Sequence, residues 1–403
     1  MGSTIEKTKI NMHFQKPFKY KPMLTFIYSL FVLIPWTQNF AQQFNDEMSL
    51  IFIGDIMGHG PQIKSAYIDS TDSYSYENVF KYIKDEISDA DFTIANLEVT
   101  LAGKPFKGYP QFSSPDALGE ACKNNGIDAF VLSNNHSCDR GKNGIIRTID
   151  ITEKLGLLHT GTFRNEKERD SLNLLLLEKN NIKVGILNYT YGTNGLPYPA
   201  PTIVNMIDTA LMAKDIDSAH TKMLDKLIVF IHWGAEYQSQ PNTYQKNIAE
   251  FLFNKNVDII IGSHPHVLQK MIYLPKSEAN NESFIAYSLG NYVSNQRDRR
   301  KDGGCMVKLV LNKNGEDVVI REKGYILTWV HKTLNGNKYD YRILPCSKYE
   351  NDSTYFKKKE EMEKMNIFIK DSRKLFNNYN ENVGEYIYLN ERWKFLKPQS
   401  NDQ

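Results

Sequence analysis

The sequence predicts an α/β protein in which two sheets pack face to face with helices outside, a four-layer α/β/β/α sandwich. Three observations lead there. As far as residue 265, apolar runs of strand length alternate with amphipathic stretches of helical length, the pattern of βα units with at least partly parallel sheets. Beyond residue 265 strand-like runs follow one another. Hydrophobic residues make up 41% and charged residues 24% of the 403, enough to bury a core and too much for wholesale disorder.

The N-terminus is a different kind of segment. Residues 1–22 are polar and basic and end with Lys16, Lys19 and Lys21, residues 23–36 (MLTFIYSLFVLIPW) are apolar, and a polar stretch closes at Ala41. Basic region, short apolar region and small residue is the order of a secretory signal over residues 1–41, cut after Ala41 or kept as an anchor. The chain is therefore expected to be exported: periplasmic, extracellular or held on the outer face of the cytoplasmic membrane. Nothing after residue 40 approaches the roughly 20 continuous apolar residues of a membrane helix, which excludes a multispanning protein.

The strand candidates of the first half are residues 49–53, 91–95, 128–132, 226–231 and 257–261. Helical candidates lie between them at 76–88, 115–125, 144–155, 205–222 and 244–254; Pro115 opens the second and Gly126 closes it, by the usual preference for Pro at the start and Gly past the end. Residues 172–177 and 183–188 flank Lys179-Asn180-Asn181 and read as a hairpin. Residues 267–274, 283–288, 305–311 and 317–325 read as further strands, the last two joined through Asn314-Gly315, a hairpin turn signal. From residue 347 the chain turns polar and is expected to form an appended, largely surface helix and tail over 347–403. No internal repeat is present.

Lys plus Arg number 49 against 47 for Asp plus Glu, a formal net charge of +2. So near-neutral a chain has no global field for holding nucleic acid. Cys122, Cys138, Cys305 and Cys346 form no Cys-x-x-Cys pair, so a zinc ribbon or redox motif is unsupported and buried thiols are the favoured reading.

Chemistry concentrates at strand ends, where ligands collect in α/β sheets. The first strand ends in Gly54-Asp55-Ile56-Met57-Gly58-His59 and the second in Asn96-Leu97-Glu98. The third ends in Ser133-Asn134-Asn135-His136 with Asp139 behind it. The fourth ends in His232-Trp233-Gly234-Ala235-Glu236 and the fifth in Gly262-Ser263-His264-Pro265-His266. Five successive strand ends thus offer carboxylate, amide and imidazole groups, which suit Mn, Fe or Zn. One carboxylate placed between two such ions holds them about 4 Å apart, the spacing that serves hydrolysis. Each piece also has a plainer reading. Gly-Asp can be only a turn, Asn96 a helix cap with Glu98 near the helix dipole, His232 a core histidine, and the His-Pro-His pair incidental. Their joint occurrence favours the metal reading.

Gly54-Asp55-Ile56-Met57, Asn96-Leu97-Glu98, Tyr109-Pro110-x-Phe112, Asn134-Asn135-His136-x-x-Asp139-x-Gly141, His232-Trp233-Gly234-x-Glu236-Tyr237, Gly262-Ser263-His264-Pro265-His266 and Ser288-Leu289-Gly290-Asn291 stand in this order. Together they resemble the bacterial capsule-synthesis CapA family, also called the poly-γ-glutamate capsule biosynthesis family, over about residues 48–295. The resemblance implies a sandwich of calcineurin-like metallophosphatase type, here over residues 48–330, with a centre of two divalent ions. By it Asp55 ligates one metal, Glu98 takes the bridging place where phosphatases usually have Asp, and Asn135 binds the second. His232, His264 and His266 complete the centre. His136 faces the substrate as general acid or charge stabiliser, oriented by Asp139.

By the same resemblance Tyr109, Glu236, Asn291 and Arg297 are expected to line the pocket. Lys104, Lys107, Arg299, Arg300 and Lys301 are further basic groups, although an Arg-rich run equally reads as a solvated loop. Phosphatases of this superfamily carry Asp-x-His in the first motif, whereas Met57 occupies the histidine place here and His59 lies two residues on. The implied function is metal-dependent hydrolysis or acyl transfer on an anionic cell-surface polymer such as a γ-linked glutamyl chain, beside a membrane-bound synthesis or export complex. A phosphoesterase and a non-catalytic polymer-binding or export scaffold are the alternatives.

Overall fold

A computed structural model describes residues 46–278 and 281–397; the expected signal over residues 1–41 lies outside them. The first sheet contains β1 (Glu47–Ile56), β2 (Phe92–Leu97), β3 (Ala129–Val131) and β4 (Leu158–Thr160), all parallel in that order. The second sheet takes over the chain with β5 (Leu175–Lys179), β6 (Ile182–Thr190), β7 (Lys226–His232), β8 (Ile259–Ser263), β9 (Met271–Leu274) and β10 (Ser283–Ala286). Its order is β9-β10-β8-β7-β6-β5, with a parallel centre and an antiparallel hairpin at each edge.

The chain then returns to the first sheet. β11 (Asn291–Val293) pairs parallel with the end of β1 on the edge opposite β2, and on that same edge β12 (Gly303–Asn314), β13 (Asp317–Asn335) and β14 (Lys338–Pro345) form an antiparallel meander. β15 (Gly384–Leu389) and β16 (Arg392–Leu396) complete ten strands, with β15 parallel to β13.

The period of two in each central strand sets the layers. In β1, Leu50 and Phe52 point between the sheets, where they meet Ile228 and Phe230 of β7 and Ile259 and Ile261 of β8. Ile51 and Ile53 point outwards, to Leu118 and Ala121 of helix α2 (Ala117–Asn124) and Ile145 and Ile149 of α3 (Gly141–Lys154), α1 being the short helix Gly60–Ala66. In β7 the alternate residues Leu227, Val229 and Ile231 pack on Met212 and Ile216 of α4 (Thr209–His220) and Ile248 and Leu252 of α5 (Thr243–Asn254). Strands buried on both faces read as continuous apolar runs, which is why SLIFI and KLIVFI were visible as strands. The four-layer α/β/β/α sandwich is therefore the fold.

Two expectations are corrected here. The segment after residue 347 is not a surface appendage. Helix α6 (Lys359–Tyr379) lays Met365, Phe368, Ile369 and Phe376 into the core between the sheets, and the β15–β16 hairpin extends the first sheet. Spacings of three and four residues put those apolar groups on one face, and their polar neighbours masked it in a composition reading. Nor does the sandwich stop at residue 330, since β13 runs to Asn335 and β14 follows. The four cysteines are free and buried, as favoured. Among the described residues no helix is long and apolar enough to cross a membrane.

Candidate metal centre

The parallel strands bring their carboxyl ends to one place. Asp55 of β1 stands opposite Asn96 of β2 and Asn291 of β11, and His232 of β7 stands opposite Ser263 of β8. β1 bulges between Ile53 and Asp55, an extra residue that re-aims the next side chain. Only glycine fits there, because a Cβ on Gly54 would lie 2.3 Å from the carbonyl oxygen of Gly290.

Asp55, Glu98, His232, His264 and His266 meet in two overlapping groups. Glu98, His232 and His264 form one, Asp55, Glu98 and His266 the other, with ligand-capable atoms inside each group within 4.8 Å of one another. Glu98 belongs to both. It is fully buried, and neither carboxylate oxygen has a hydrogen-bond partner. Its Oε1 lies 3.5 Å from Nε2 of His232 and 3.7 Å from Nε2 of His266. Asn135 joins the first group through Oδ1, 3.0 Å from His232 Nε2. His266 Nδ1 lies 3.0 Å from Asp55 Oδ2 and 3.1 Å from Asn291 Oδ1.

Pro265 separates two histidines that serve different groups. His264 has φ 98° and His266 φ 56°, both in the left-handed region that side chains avoid, at about 1–3 kcal/mol each. Such strain persists where the surroundings over-determine it, and here it sends one imidazole to each group.

Burial sets the electrostatics. It pushes the Glu98 carboxyl well above the usual range, and the nearby Asp55 charge pushes it further. It pulls His232 and His264 well below the ordinary imidazole value, with neighbouring imidazoles adding to the effect. Two unpartnered carboxylate oxygens and neutral imidazoles in a buried pocket form a costly arrangement alone. They are the hard oxygen and nitrogen donors that a divalent ion would satisfy, so the residues fit such a centre.

His136 and Asp139 sit beside this cluster as a pair. Asp139 Oδ2 accepts from His136 Nδ1 at 2.8 Å and from the Phe112 amide at 2.7 Å. Phe112 stands edge-on to the His136 ring at 4.6 Å. Tyr109 is 74% exposed and edges onto Phe112, and Glu236 is exposed. Arg297 is a correction: its guanidinium lies over Trp329, 5.6 Å from the ring centre, and faces Asp302 rather than the cluster. Met57 is buried among apolar groups. His59 caps α1, its amide donating to Gln62 Oε1 at 2.9 Å, and its ring edges onto Phe112.

Three groups of the strand-end motifs, given no role at the centre by the sequence, support it. Asn96 donates to Asp55 Oδ1 at 2.9 Å and lies 3.4 Å from His232 Nδ1, so it holds a ligand of each group. Ser263 Oγ lies 2.9 Å from His232 Nδ1. Asn134 donates to the carbonyl of Leu97 at 2.8 Å, fixing the strand end that carries Glu98. A period of two from Glu98 back to Asn96 was the available signal.

Fold and site together define an α/β/β/α sandwich with a buried carboxylate–imidazole cluster at its strand ends. The model of the family described as bacterial capsule synthesis protein PGA_cap matches residues 49–296. That is more than half of the chain, and the protein belongs to this family. It is 26% identical over 286 residues to the capsule biosynthesis protein CapA of Bacillus anthracis, a match spanning 68% of this chain and 66% of that one. It is 26% identical over 326 residues to the PGA biosynthesis protein CapA of Bacillus subtilis, spanning 77% and 80%. Among solved structures, Haemophilus influenzae NAD nucleotidase aligns at 12% identity and TM-score 0.46 over 81% of this chain and 56% of its own. The calcineurin-like phosphoesterase YfkN of Bacillus subtilis aligns at 14% and 0.41 over 82% and 97%.

Proposed function

We propose that this protein is an exported, metal-dependent hydrolase or acyl-transfer enzyme of capsule synthesis, acting on an anionic cell-surface polymer of γ-linked glutamyl type. One observation carries the reading: Glu98 is buried without a hydrogen-bond donor at the junction of two ligand groups. Asp55 and His266 would hold one divalent ion, His232, His264 and Asn135 the other, and Glu98 both. When bound, such a pair supplies an activated water and polarises the scissile carbonyl.

The chain's own residues do the rest. Asp139 holds Nδ1 of His136, which fixes the ring and leaves Nε2 to donate a proton to the departing amine. Asn96 and Ser263 orient His232, and Asn291 orients His266, as partners of ligating imidazoles do. Capsule-related names of the two Bacillus relatives support the substrate class.

The test is elemental analysis of the purified chain from Gln42 onward, beside Asp55→Ala and His264→Ala, followed by cleavage of a γ-linked oligoglutamate. The expected result is close to two equivalents of Mn, Fe or Zn in the parent and a loss in both variants. His136→Ala is expected to keep its metal and lose turnover. A parent without metal after reconstitution sinks the reading. Cleavage of phosphodiesters but not γ-glutamyl amides would assign a phosphoesterase, and polymer binding that survives His136→Ala without any turnover would assign a scaffold.

A further inference from the structure

The loop after β11 leaves the candidate centre at Asn291, whose side-chain amide donates to Gln296 Oε1 at 2.9 Å and to the carbonyl of Lys301 at 2.8 Å. On its other side the loop lines a cleft of about 650 Å³, shared with β13, β14 and the start of α6. Arg297, Arg299, Arg300, Lys332, Lys358 and Lys364 line it, against Asp302, Glu360 and Glu361. Two of the three acids are engaged internally. Asp302 accepts from Trp329 Nε1 at 2.7 Å, and Glu361 accepts from Thr333 at 3.0 Å. Arg299 donates to Asp371 of α6 at 2.6 Å.

Arg300 pairs with the same Asp371 at 3.8 Å, and Lys332 donates to Asn295 Oδ1 at 2.9 Å. The Arg297 guanidinium lies 5.6 Å from the Trp329 ring centre, and its Nη1 is buried without a hydrogen-bond partner. A guanidinium so held keeps one N–H unspent in the lining of the cleft. Lys332 lies over the Tyr339 ring at 4.1 Å, a cation held at the wall of the cleft. Lys358 and Lys364 have neither a hydrogen bond nor an ion pair among the described residues. Every residue that lines the cleft lies beyond the family-matched segment 49–296.

We infer that this cleft is a binding subsite for a polycarboxylate chain, placed beside the centre by the 297–302 loop and completed by the C-terminal segment. The inference rests on the polymer class proposed above. Lys358 and Lys364 take neighbouring carboxylates, and the unpaired Nη1 of Arg297 takes one at the inner end of the cleft. A cavity of this size accommodates a few residues of an extended chain.

The test is equilibrium binding of a short γ-linked oligoglutamate to the full-length protein, read by calorimetry at low and physiological ionic strength. Arg297→Gln and the double variant Lys358→Gln/Lys364→Gln are compared with the distant pair Lys222→Gln/Lys246→Gln and with Asp55→Ala. The expected result is binding that weakens with salt, and about tenfold weaker binding in the groove double variant. The distant pair is expected to bind like the parent, and metal content of the groove variants is expected to match it. Groove variants that bind as tightly as the parent, while Asp55→Ala does not, overturn the subsite and leave the centre standing. An equally charged polyphosphate that binds more tightly than the oligoglutamate overturns the carboxylate assignment. No binding by the parent at low ionic strength overturns the subsite, whatever its metal content.

Discussion

Both oxygens of Glu98 are buried without a hydrogen-bond partner, so the metal-free protein carries a desolvation cost that bound cations would offset. Glu98→Gln is therefore expected to move two quantities in opposite directions. Metal content falls, while the metal-free form gains about 1–3 kcal/mol, because the amide puts no charge to be desolvated beside Asp55. Urea titration of both proteins after chelation, alongside elemental analysis, checks this; a less stable metal-free variant would refute it. His59 gives a second residue-scale expectation. Burial lowers its pKa from 6.5 to about 4. Above pH 6.5 the ring is neutral in both folded and unfolded chains and the pH has no effect through it. Below that the unfolded chain takes up a proton that the folded one refuses, so stability falls as the pH drops from 6.5 through 4. Between pH 7 and 4.5 the metal-free parent should lose about 2–3 kcal/mol more than His59→Gln, read from urea midpoints at the two pH values.

At the scale of the element, α6 shows what a polar composition can conceal. Its window KEEMEKMNIFIKDSRKLFNNY is dominated by charge, yet Phe368 is 2% exposed and seals the end of the core against Gly303. Phe368→Ala is expected to cost about 3–5 kcal/mol, whereas Ile367→Ala, on the exposed face, should stay within about 0.5 kcal/mol. Thermal melts of the two variants separate an integral helix from a surface one, since equal midpoints would mean that the helix holds nothing together. The central strands were legible for the opposite reason. Burial on both faces leaves no polar residue to interrupt SLIFI or KLIVFI. β14 and the β15–β16 hairpin carry alternating polar groups such as Lys338, Asp340 and Lys394, and that pattern is hard to tell from a polar tail.

For the whole molecule, the centre joins the two halves of the sandwich. Asp55 and Glu98 come from the first sheet, His232, His264 and His266 from the second. Ligation would therefore couple metal binding to the packing of the sheets, and it stabilises the native state in proportion to RT ln(1 + [metal]/Kd), about 2.7 kcal/mol per site at a hundredfold excess over Kd. Chelation should lower the melting midpoint of the parent and leave that of Asp55→Ala/His264→Ala unchanged. A midpoint indifferent to metal in both would mean that the sheets do not share an ion.

What the sequence by itself determined were the features with a short period: the strands of the two parallel centres, the Asn-Gly hairpin, and the polar residues that end five strands. These are local, because alternation, turn chemistry and strand length are all read within about ten residues. Tertiary structure alone decided which strand ends face one another, because parallel neighbours are joined by long crossovers. It also decided that Glu98 stands where two groups meet, that His264 and His266 part company across Pro265, and that Arg297 turns away to Trp329. Five residues separate Arg297 from Asn291, and sequence distance does not tell which way a loop turns. The same limit hid the C-terminal helix, whose apolar face gained its meaning only from the core it closes.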